Sequence, residues 1–567
     1  MKLCARSFAA VAQAGGLLFR RLAARRHLVR RDAAGCPSAT PQVSPLRSRL
    51  GWISLALFVL AVGNLLAATP FENPGLVTPA SKIDELVFAR LQALNLEPAQ
   101  LCSDPVFVRR VYLDVTGTLP TAAEARQFIL DRNPAKRREL IDQLLARDEF
   151  ADLLALKWGD LLRIKAEFPI NLWPNAAQAY HHWIRDSIRT NRLADQFTRE
   201  LLTASGSNFE MPPVNFYRAM QTRTPAGIAQ MVALTFLGER AERWPSNELA
   251  RFAVFFANVE YKHTGEWKEE IVFFNPASTN AGALNGSPRH AVFPDGRKVT
   301  LSPDRDPRVV FADWLVKDPQ FARNIANRAW SWLLGRGIVQ EPDDFRADNP
   351  PSNPELLAYL AGQFVDSGFD FKQLYRLILN SKVYQLAALP KSSQPEAAAN
   401  FASYPLRRLD AEVLIDALDQ ITGTNELYSS AIPEPYTFIP DNLRSIALPD
   451  GSITSSFLEM FGRPSRDTGL ESERNNRLTD AQKLWLLNSS MMQRKIESSR
   501  MIQYQSASDR RPGDIVAGMY LGILSRFPTA SESSTAEAYF QSGAGKRQAT
   551  VDLAWALMNS TEFLYRH

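Results

Sequence analysis

The chain has 567 residues, and its content of 45% apolar and 22% charged residues excludes a fibrous or largely disordered protein. The formal charge of +5 is unevenly distributed along the chain. Residues 1–50 hold ten of the 65 basic residues and one of the 60 acidic residues. The body of the chain, residues 51–567, therefore has 55 basic and 59 acidic residues. The body is therefore slightly acidic. We expect no nucleic-acid partner, because nucleic-acid binding needs a basic surface on the folded domain.

Residues 1–68 are predicted to form a leader with a secretory signal. An uncharged stretch, residues 51–68, follows two arginines and ends in small residues, an order that is typical of a signal removed on export. The stretch is shorter than the roughly 20 apolar residues that span a bilayer comfortably, so a retained N-terminal membrane anchor is the alternative. We expect an exported protein of the periplasm or cell envelope.

The body is predicted to be mainly α-helical. Between residues 136 and 164, large apolar residues recur every three or four positions, as on the buried face of an amphipathic helix. A β-hairpin is predicted at residues 291–301, where two β-prone runs flank the turn pair Asp295-Gly296, and residues 270–274 predict a further strand. These signals indicate a mainly α fold of repeated helical hairpins with a small inserted β-hairpin or sheet region.

Helix-start motifs recur along the chain. Asp104 and Asp318 each precede a proline and are predicted to cap a helix, while Thr121 and Thr529 each precede a glutamate by three residues, as in a capping box. We interpret the recurrences as three related helical-hairpin units. The alternative is that helix caps simply resemble one another. Repeated helical units usually present binding surfaces rather than deep catalytic pockets.

Six segments are predicted along the chain. They are the leader and signal at 1–68, a first helical domain at 80–250, a β-containing insert at 251–305, a second helical domain at 306–420, an irregular region rich in Arg and Glu at 421–480, and a C-terminal helical hairpin at 481–567. The region after residue 420 is predicted to be irregular because apolar periodicity is weak there.

Cysteine content limits the chemistry. Cys4 and Cys36 fall in the predicted leader, and only Cys102 remains beyond it. A covalent haem attachment and a disulfide each need two cysteines, so both are excluded from the mature chain, and we predict no cofactor and no metal. Cys102 itself is expected to be a buried, small apolar residue.

Two blocks of sequence carry the motifs of a known family pair. Residues 83–165 contain Val108-Arg109-Arg110-Val111-Tyr112-Leu113-Asp114, Thr116-Gly117-Thr118-Leu119-Pro120 and Lys157-Trp158-Gly159-Asp160-Leu161-Leu162-Arg163. Residues 309–390 contain Ala326-Asn327-Arg328-Ala329-Trp330 and Leu334-Gly335-Arg336-Gly337-Ile338-Val339, and Arg407-Arg408-Leu409-Asp410-Ala411-Glu412 and Phe461-Gly462-Arg463-Pro464 follow. The first block resembles the planctomycete cytochrome-C-associated domain, and the second resembles its usual downstream partner, also of unknown function. The resemblance implies an exported bacterial protein from a family without an established activity.

The chain resembles a short variant of that family. Some relatives are fused to a haem-binding cytochrome c module, and larger relatives carry cysteine motifs at two places, after the equivalent of Gly238 and at the equivalent of residues 470–474. This chain has no cysteine at either place. Soft ligands at two points would suit one metal or redox centre, so we hypothesise that the two motifs form one site in those relatives, lost here as a unit.

Charged residues in or near the family motifs are the candidate binding residues, because charged residues fixed on loops bind anions or substrates. They are Asp160, Arg163, Arg407, Arg408, Asp410, Arg463, Arg466, Glu473 and Arg474. No catalytic residue is assigned. One alternative is a surface salt-bridge network at residues 461–474. Another is local pairing within helices, between Asp160 and Arg163 and between Arg110 and Asp114.

Two functions are open, and an enzymatic activity is neither assigned nor excluded. The first is an exported helical binding or scaffold protein that acts with a redox or hydrolytic envelope partner, the partner itself being an envelope protein or a polysaccharide. The second is a periplasmic hydrolase of polysaccharide or sulfated sugar, with Asp160 or Glu473 as an acid/base group. An enzyme should bury a carboxylate of raised pKa in a cleft lined by Trp and Arg, whereas a scaffold should expose an apolar or aromatic patch.

Overall fold

A computed structural model of the chain describes residues 70–278, 289–507, 509–543 and 545–567. The predicted leader and signal at 1–68 lie outside these residues. The described part is 53% helical, with 24 α-helices, and its nine short strands form sheets of two or three strands. The predicted mainly α fold is confirmed. Among the described residues, none of the helices combines the length and the hydrophobicity that a membrane-spanning helix needs.

The first ten helices precede the β-containing insert. They are α1 (Lys82–Ala93), α2 (Asp104–Val115), α3 (Ala122–Leu130), α4 (Lys136–Leu145), α5 (Asp148–Leu161), α6 (Pro174–Arg189), α7 (Ala194–Thr203), α8 (Asn215–Arg218), α9 (Pro225–Val232) and α10 (Ser246–Ala253). Three short strands lie among them, β1 (Glu72–Asn73), β2 (Leu101–Cys102) and β3 (Gly206–Ser207). Cys102 is buried, as predicted.

The insert is built of four strands, β4 (Val259–His263), β5 (Glu270–Phe274), β6 (Arg289–Val292) and β7 (Lys298–Leu301). Strand β5 pairs antiparallel with β3 on one side and β4 on the other, and β6 pairs antiparallel with β7. The predicted turn joins β6 and β7, where the Arg297 backbone N–H donates to Asp295 Oδ1 at 2.9 Å and Gly296 has a left-handed φ of 85°. Both strand predictions are confirmed.

The remaining helices follow the insert. They are α11 (Pro307–Leu315), α12 (Pro319–Leu334), α13 (Pro354–Asp366), α14 (Phe371–Leu379), α15 (Pro395–Ala399), α16 (Ala411–Thr422), α17 (Ser456–Met460), α18 (Asp480–Asn488), α19 (Ser490–Ser498), α20 (Arg500–Ala507), α21 (Pro512–Leu524), α22 (Ala530–Phe540), α23 (Lys546–Met558) and α24 (Thr561–Leu564). Strands β8 (Arg407–Arg408) and β9 (Tyr565–Arg566) pair antiparallel and tie the end of the described chain to the start of α16.

Local capping follows the sequence closely. The Thr121 and Thr529 hydroxyls each accept from the N–H of the glutamate three residues on, and that glutamate accepts from the threonine N–H, so both predicted capping boxes are confirmed. The Asp318 carboxylate caps α12, also as predicted. The prediction for Asp104 is wrong by one position, because Asp104 is the first residue of α2 and Ser103 precedes it as the N-cap.

Buried apolar residues form two cores. The first runs from Ile83 to Tyr404, and the second consists mainly of residues between Leu409 and Leu564. Four residues from the first part of the chain also belong to the second core, namely Leu113, Leu119, Leu153 and Leu156. Helices α2 and α5 therefore pack against both cores, and the polar residues on their shared faces lie at the junction.

Candidate functional site

Helix α5 carries two charged residues toward the junction. Lys157 and Asp160 follow the second-core residues Leu153 and Leu156 at helical spacing, so they point to the same side of α5. Lys157 Nζ lies 3.0 Å from the Asp410 carboxylate, at the N-terminus of α16. One side of α5 thus packs into the first core, while the side that carries Leu153, Leu156, Lys157 and Asp160 faces the second.

Arg474 bridges the two sides of this junction. Its Nη2 donates to Asp160 Oδ2 at 2.7 Å, and its Nη1 donates to Glu412 Oε2 at 2.7 Å. Arg466 Nε donates to the other oxygen of Asp160 at 2.9 Å. Two carboxylates that are 252 positions apart in sequence are therefore joined by one guanidinium, and such charge-assisted bidentate contacts fix its orientation.

A second chain of contacts runs from Asp410 to Asp114. Arg566 lies between these carboxylates, 3.4 Å from Asp410 and 3.5 Å from Asp114. Asp114 also accepts from Arg407 Nη2 at 2.9 Å and from the hydroxyl of Tyr404 at 2.8 Å. The predicted local pair is wrong, because Asp114 is held by residues distant in sequence and Arg110 instead stacks on the Tyr404 ring, 3.7 Å from its centre.

We call these connected ion pairs the junction network. Its members are Asp114, Lys157, Asp160, Arg407, Asp410, Glu412, Arg463, Arg466, Arg474 and Arg566. The network has five arginines and one lysine for four carboxylates, and some of the arginines also donate to backbone carbonyls, for example Arg407 to Leu333 and Arg463 to Asp450. All ten side chains are largely buried, so the alternative of a surface salt-bridge network is wrong for them.

Six of the nine sequence-predicted residues lie in the junction network, and three do not. Arg408 donates to the Phe461 and Asn475 carbonyls, and Glu473 accepts from the Thr468 N–H. Arg163 is buried beyond the end of α5 with a left-handed φ of 57°. This backbone turn takes Arg163 off the helix, so the predicted pair with Asp160 is also wrong.

The charge of the network carboxylates is fixed by their neighbours. Burial alone would raise the pKa of Asp160, but Arg474, Arg466 and Lys157 hold it below its usual value. Burial acts on Asp410 in the same way, and Lys157, Arg566 and Arg474 bring its pKa well below the usual range. Groups that stay ionised do not serve as general acids at neutral pH, so the hydrolase hypothesis gains no support from Asp160.

One further carboxylate of the charged loop at residues 461–474, Glu471, is not among the nine candidate residues but lies half-buried beside the network. Glu471 accepts from Trp332 Nε1 at 2.7 Å and lies 3.5 Å from Arg328, and burial raises its pKa. The nearby cavity, lined by Lys157, Tyr375 and Trp332, measures about 20 Å³, which is room for about one water rather than a substrate. The signal for Glu471 was its place in the charged loop at residues 461–474, but its tryptophan partner lies 139 positions away.

The two segments for which the family resemblance implies cysteines in larger relatives meet at Asp343. Its Oδ1 lies 3.2 Å from Arg240 Nη2, and its Oδ2 accepts from the Glu471 N–H at 3.1 Å. One side chain therefore contacts both segments, as a single shared site in those relatives would require. In this chain the position is an ion pair, and the shared site remains a hypothesis about the relatives.

The surface beside the junction carries a group of aromatic side chains, which we call the aromatic surface. The Trp173 ring lies 6.4 Å from the Trp267 ring and 5.2 Å from the Tyr436 ring, measured between centres. Lys268 Nζ lies 5.1 Å from each tryptophan ring. Trp267 is 69% exposed and Tyr436 is 49% exposed, and Trp267 is the one exposed tryptophan among the described residues.

The network predicts a defined pH dependence. Asp410→Asn should destabilise the protein at neutral pH, and the loss should shrink as the pH falls toward the acid range. A carboxylate whose folded pKa is depressed stabilises the fold above its unfolded pKa, and that contribution is lost as the pH falls through the folded value. Urea unfolding from about pH 7 down to about pH 2 measures the difference between variant and wild type, because the contribution is lost only below the unfolded pKa of about 4.

Asp186→Asn is the matched control, because Asp186 belongs to an exposed ion pair with Arg189. Its effect should be small at every pH. A destabilisation by Asp410→Asn that stays constant over the pH range would contradict the assignment of a depressed pKa to Asp410.

Comparison with known families matches both halves of the chain. Residues 82–259 match PSCyt2, described as a protein of unknown function (DUF1549), and residues 307–540 match PSD1, described as a protein of unknown function (DUF1553). The two matches together cover more than two thirds of the chain. No curated protein and no solved structure matches it. Asp160 lies in the first matched region and Asp410, Glu412, Arg466 and Arg474 lie in the second, so the junction network joins the two.

Proposed function

Because the chain belongs to the paired PSCyt2 and PSD1 families, two adjacent domains of unknown function named for association with planctomycete cytochrome C, we propose that it is an exported helical binding protein of the cell envelope. It docks a redox or hydrolytic envelope protein on the aromatic surface. The junction network holds the two matched regions in the arrangement that presents this surface.

The observation that carries the proposal is the cluster of the exposed Trp267 and Tyr436 with the half-buried Trp173 between them. Aromatic side chains with one apolar face and one polar tip are enriched at protein interfaces, and a few of them usually supply most of the binding energy. Three parts of the chain meet in this cluster, the α5–α6 loop, the insert and the irregular region after α16. The cluster leaves apolar ring surface exposed to water, which is unfavourable and does not help the protein to fold. An exposed patch of this kind is typical of a binding surface.

The loop that carries Trp173 is fixed by hydrogen bonds and an ion pair with the irregular region after α16. The Ala166 N–H donates to Asp450 Oδ1 at 2.9 Å, and Lys165 Nζ lies 2.7 Å from Asp467. The Glu167 carboxylate accepts from the Ala431 N–H at 3.1 Å, which links the loop to the region of Tyr436. A surface built on such a fixed loop loses little conformational entropy when a partner binds.

Backbone strain concentrates at the same surface. Asn171, Trp173 and Lys268 all have left-handed φ values, between 60° and 72°. Residues other than glycine adopt this conformation at a cost of about 1–3 kcal/mol, and such residues cluster at binding and catalytic sites. The strain at Trp173 and Lys268 supports a binding role for the aromatic surface.

The double variant Trp267→Ala/Tyr436→Ala tests the proposal. Both side chains are exposed, so the thermal midpoint should remain close to that of the wild type. In the native host, cross-linking followed by mass spectrometry should identify an envelope protein that the wild type captures and the double variant does not. With that protein purified, the double variant should raise Kd about 30-fold or more.

Tyr504→Ala is the matched control, because Tyr504 is an equally exposed aromatic residue on α20, away from the aromatic surface. It should capture the partner as the wild type does. The proposal fails if the double variant keeps the same partners with unchanged Kd, or if cell fractionation finds the protein in the cytoplasm. Retention on a purified polysaccharide that the double variant loses would assign the surface to a sugar instead.

A further inference from the structure

A large cleft lies on the face formed by β1, β2, the start of α2 and the α3–α4 loop. Its volume is about 540 Å³, which is within the usual range for small-molecule sites. Residues 131–137 form one wall, and Lys382 and Gln385, from the turn after α14, form another. The cleft thus lies between the two matched regions, apart from the aromatic surface.

The charged residues that line the cleft are mostly basic. They are the four cations Arg132, Lys136, Arg137 and Lys382 and the two carboxylates Asp104 and Asp131. Asp104 lies 2.8 Å from Lys136 Nζ and 2.7 Å from Arg137 Nη2, so one carboxylate is shared by two cations. An excess of positive charge in a concave site attracts anions, because the low-dielectric walls focus the field.

Two of these cations, Lys136 and Arg137, have all their N–H donors bonded to acceptors within the protein. Lys136 Nζ also donates to the Phe128 and Asp131 carbonyls, at 2.9 and 2.8 Å. Arg137 donates to the Cys102 carbonyl at 2.9 Å and to Gln385 Oε1 at 3.0 Å. These two side chains therefore shape the cleft and have no donor to spare for a ligand.

The other two cations remain available. Arg132 and Lys382 have no hydrogen-bond or ion-pair partner among the described residues. An arginine fork and a lysine ammonium in one cleft are the donors that hold carboxylate, sulfate and phosphate groups in proteins.

The wall that carries Arg132 is already ordered without a ligand. The Asn133 N–H donates to Asp131 Oδ1 and the Ala135 N–H donates to Asn133 Oδ1, both at 2.9 Å. Pro134 further restricts the backbone between them. Little of the binding energy is then lost to ordering the loop.

We infer that this cleft binds a small ligand with an oxyanion group (carboxylate, sulfate or phosphate) through Arg132 and Lys382. The site is independent of the partner-docking function proposed above, since it uses neither the aromatic surface nor the junction network. Its position between the two matched regions means that a bound ligand contacts both.

Calorimetric titration of the whole protein tests the inference, with inorganic phosphate, inorganic sulfate and glucuronate as probes at constant ionic strength. At least one probe should bind saturably with a Kd in the millimolar range or tighter. Arg132→Gln/Lys382→Gln should weaken that binding about tenfold or more, with an unchanged thermal midpoint, whereas Arg132→Lys should retain part of it.

Arg138→Gln is the matched control, since Arg138 is exposed on the same helix as Lys136 but does not line the cleft. It should bind the probe with the wild-type Kd. The inference is overturned if no probe binds the wild type saturably, or if the double variant binds as tightly as the wild type. The pattern among the three probes identifies the preferred oxyanion.

Discussion

Arg474→Met is expected to lower the free energy of unfolding by about 3–5 kcal/mol, because removing one partner of a buried ion pair leaves a buried charge without compensation. Arg474 contacts two buried carboxylates at 2.7 Å, Asp160 and Glu412. Methionine retains most of the apolar stem of arginine but supplies neither donor. Asp160 keeps Arg466 as a hydrogen-bonded partner, whereas Glu412 keeps only Arg463, whose Nε lies 3.7 Å from Oε1, so the largest loss should be felt at Glu412.

Urea unfolding of the full-length protein at neutral pH measures this effect, with Arg477→Met as the control. Arg477 is exposed three residues further along the same loop, and its replacement should change stability by less than about 0.5 kcal/mol. The double variant Arg474→Met/Glu412→Gln should regain part of the lost stability, because it removes the uncompensated charge. Equal stability of the Arg474 and Arg477 variants would show that the junction network does not hold the two regions together.

Motif reasoning selected several residues of this network without showing how they connect. Asp160, Asp410 and Arg474 stand in or near charged family motifs, which is why the sequence predicts them, and the structure brings them together. Lys157 and Glu412 were missed, although each lies within three positions of a chosen residue. Lys157 pairs with Asp410, 253 positions away, and Glu412 pairs with Arg474, 62 positions away. Side-chain pairing at such separations leaves no periodic trace in one sequence.

Local signals predicted local structure better. The capping boxes at Thr121 and Thr529 and the Asp295-Gly296 turn each depend on contacts within a few residues, and all are present. The predicted Asp160–Arg163 pair failed for the opposite reason. It assumed that α5 continues, whereas the helix ends at Leu161 and the backbone at Arg163 turns left-handed. A helix end without glycine or proline gives little warning in sequence.

The exposure of the aromatic surface is also a non-local property. Trp173 and Trp267 have no periodic context that separates them from buried tryptophans such as Trp158, which is 1% exposed. Only the packing of the insert and the irregular region against the α5–α6 loop decides which rings face solvent. The domain boundaries predicted from composition remain predictions, since the first core includes helices from both sides of the insert.

Gly462→Ala is expected to lower the free energy of unfolding by about 2–5 kcal/mol, through backbone strain and overpacking together. Gly462 has a left-handed φ of 82°, and a Cβ atom there would lie 2.2 Å from the Asn475 carbonyl oxygen. That oxygen also accepts from Arg408 at 3.1 Å, so the backbone at Asn475 has little freedom to move. Its displacement would carry Arg474 away from its carboxylates.

Gly423→Ala separates the two causes. Gly423 has a similar φ of 68° at the end of α16, but a Cβ there meets nothing within 4 Å, so only the strain of about 1–2 kcal/mol is expected. Urea unfolding of both variants gives the difference, which measures the close approach of the two loop segments. If the two substitutions lower the free energy of unfolding equally, the backbone at Asn475 can shift without a penalty. Arg474 would then be positioned by its ion pairs alone.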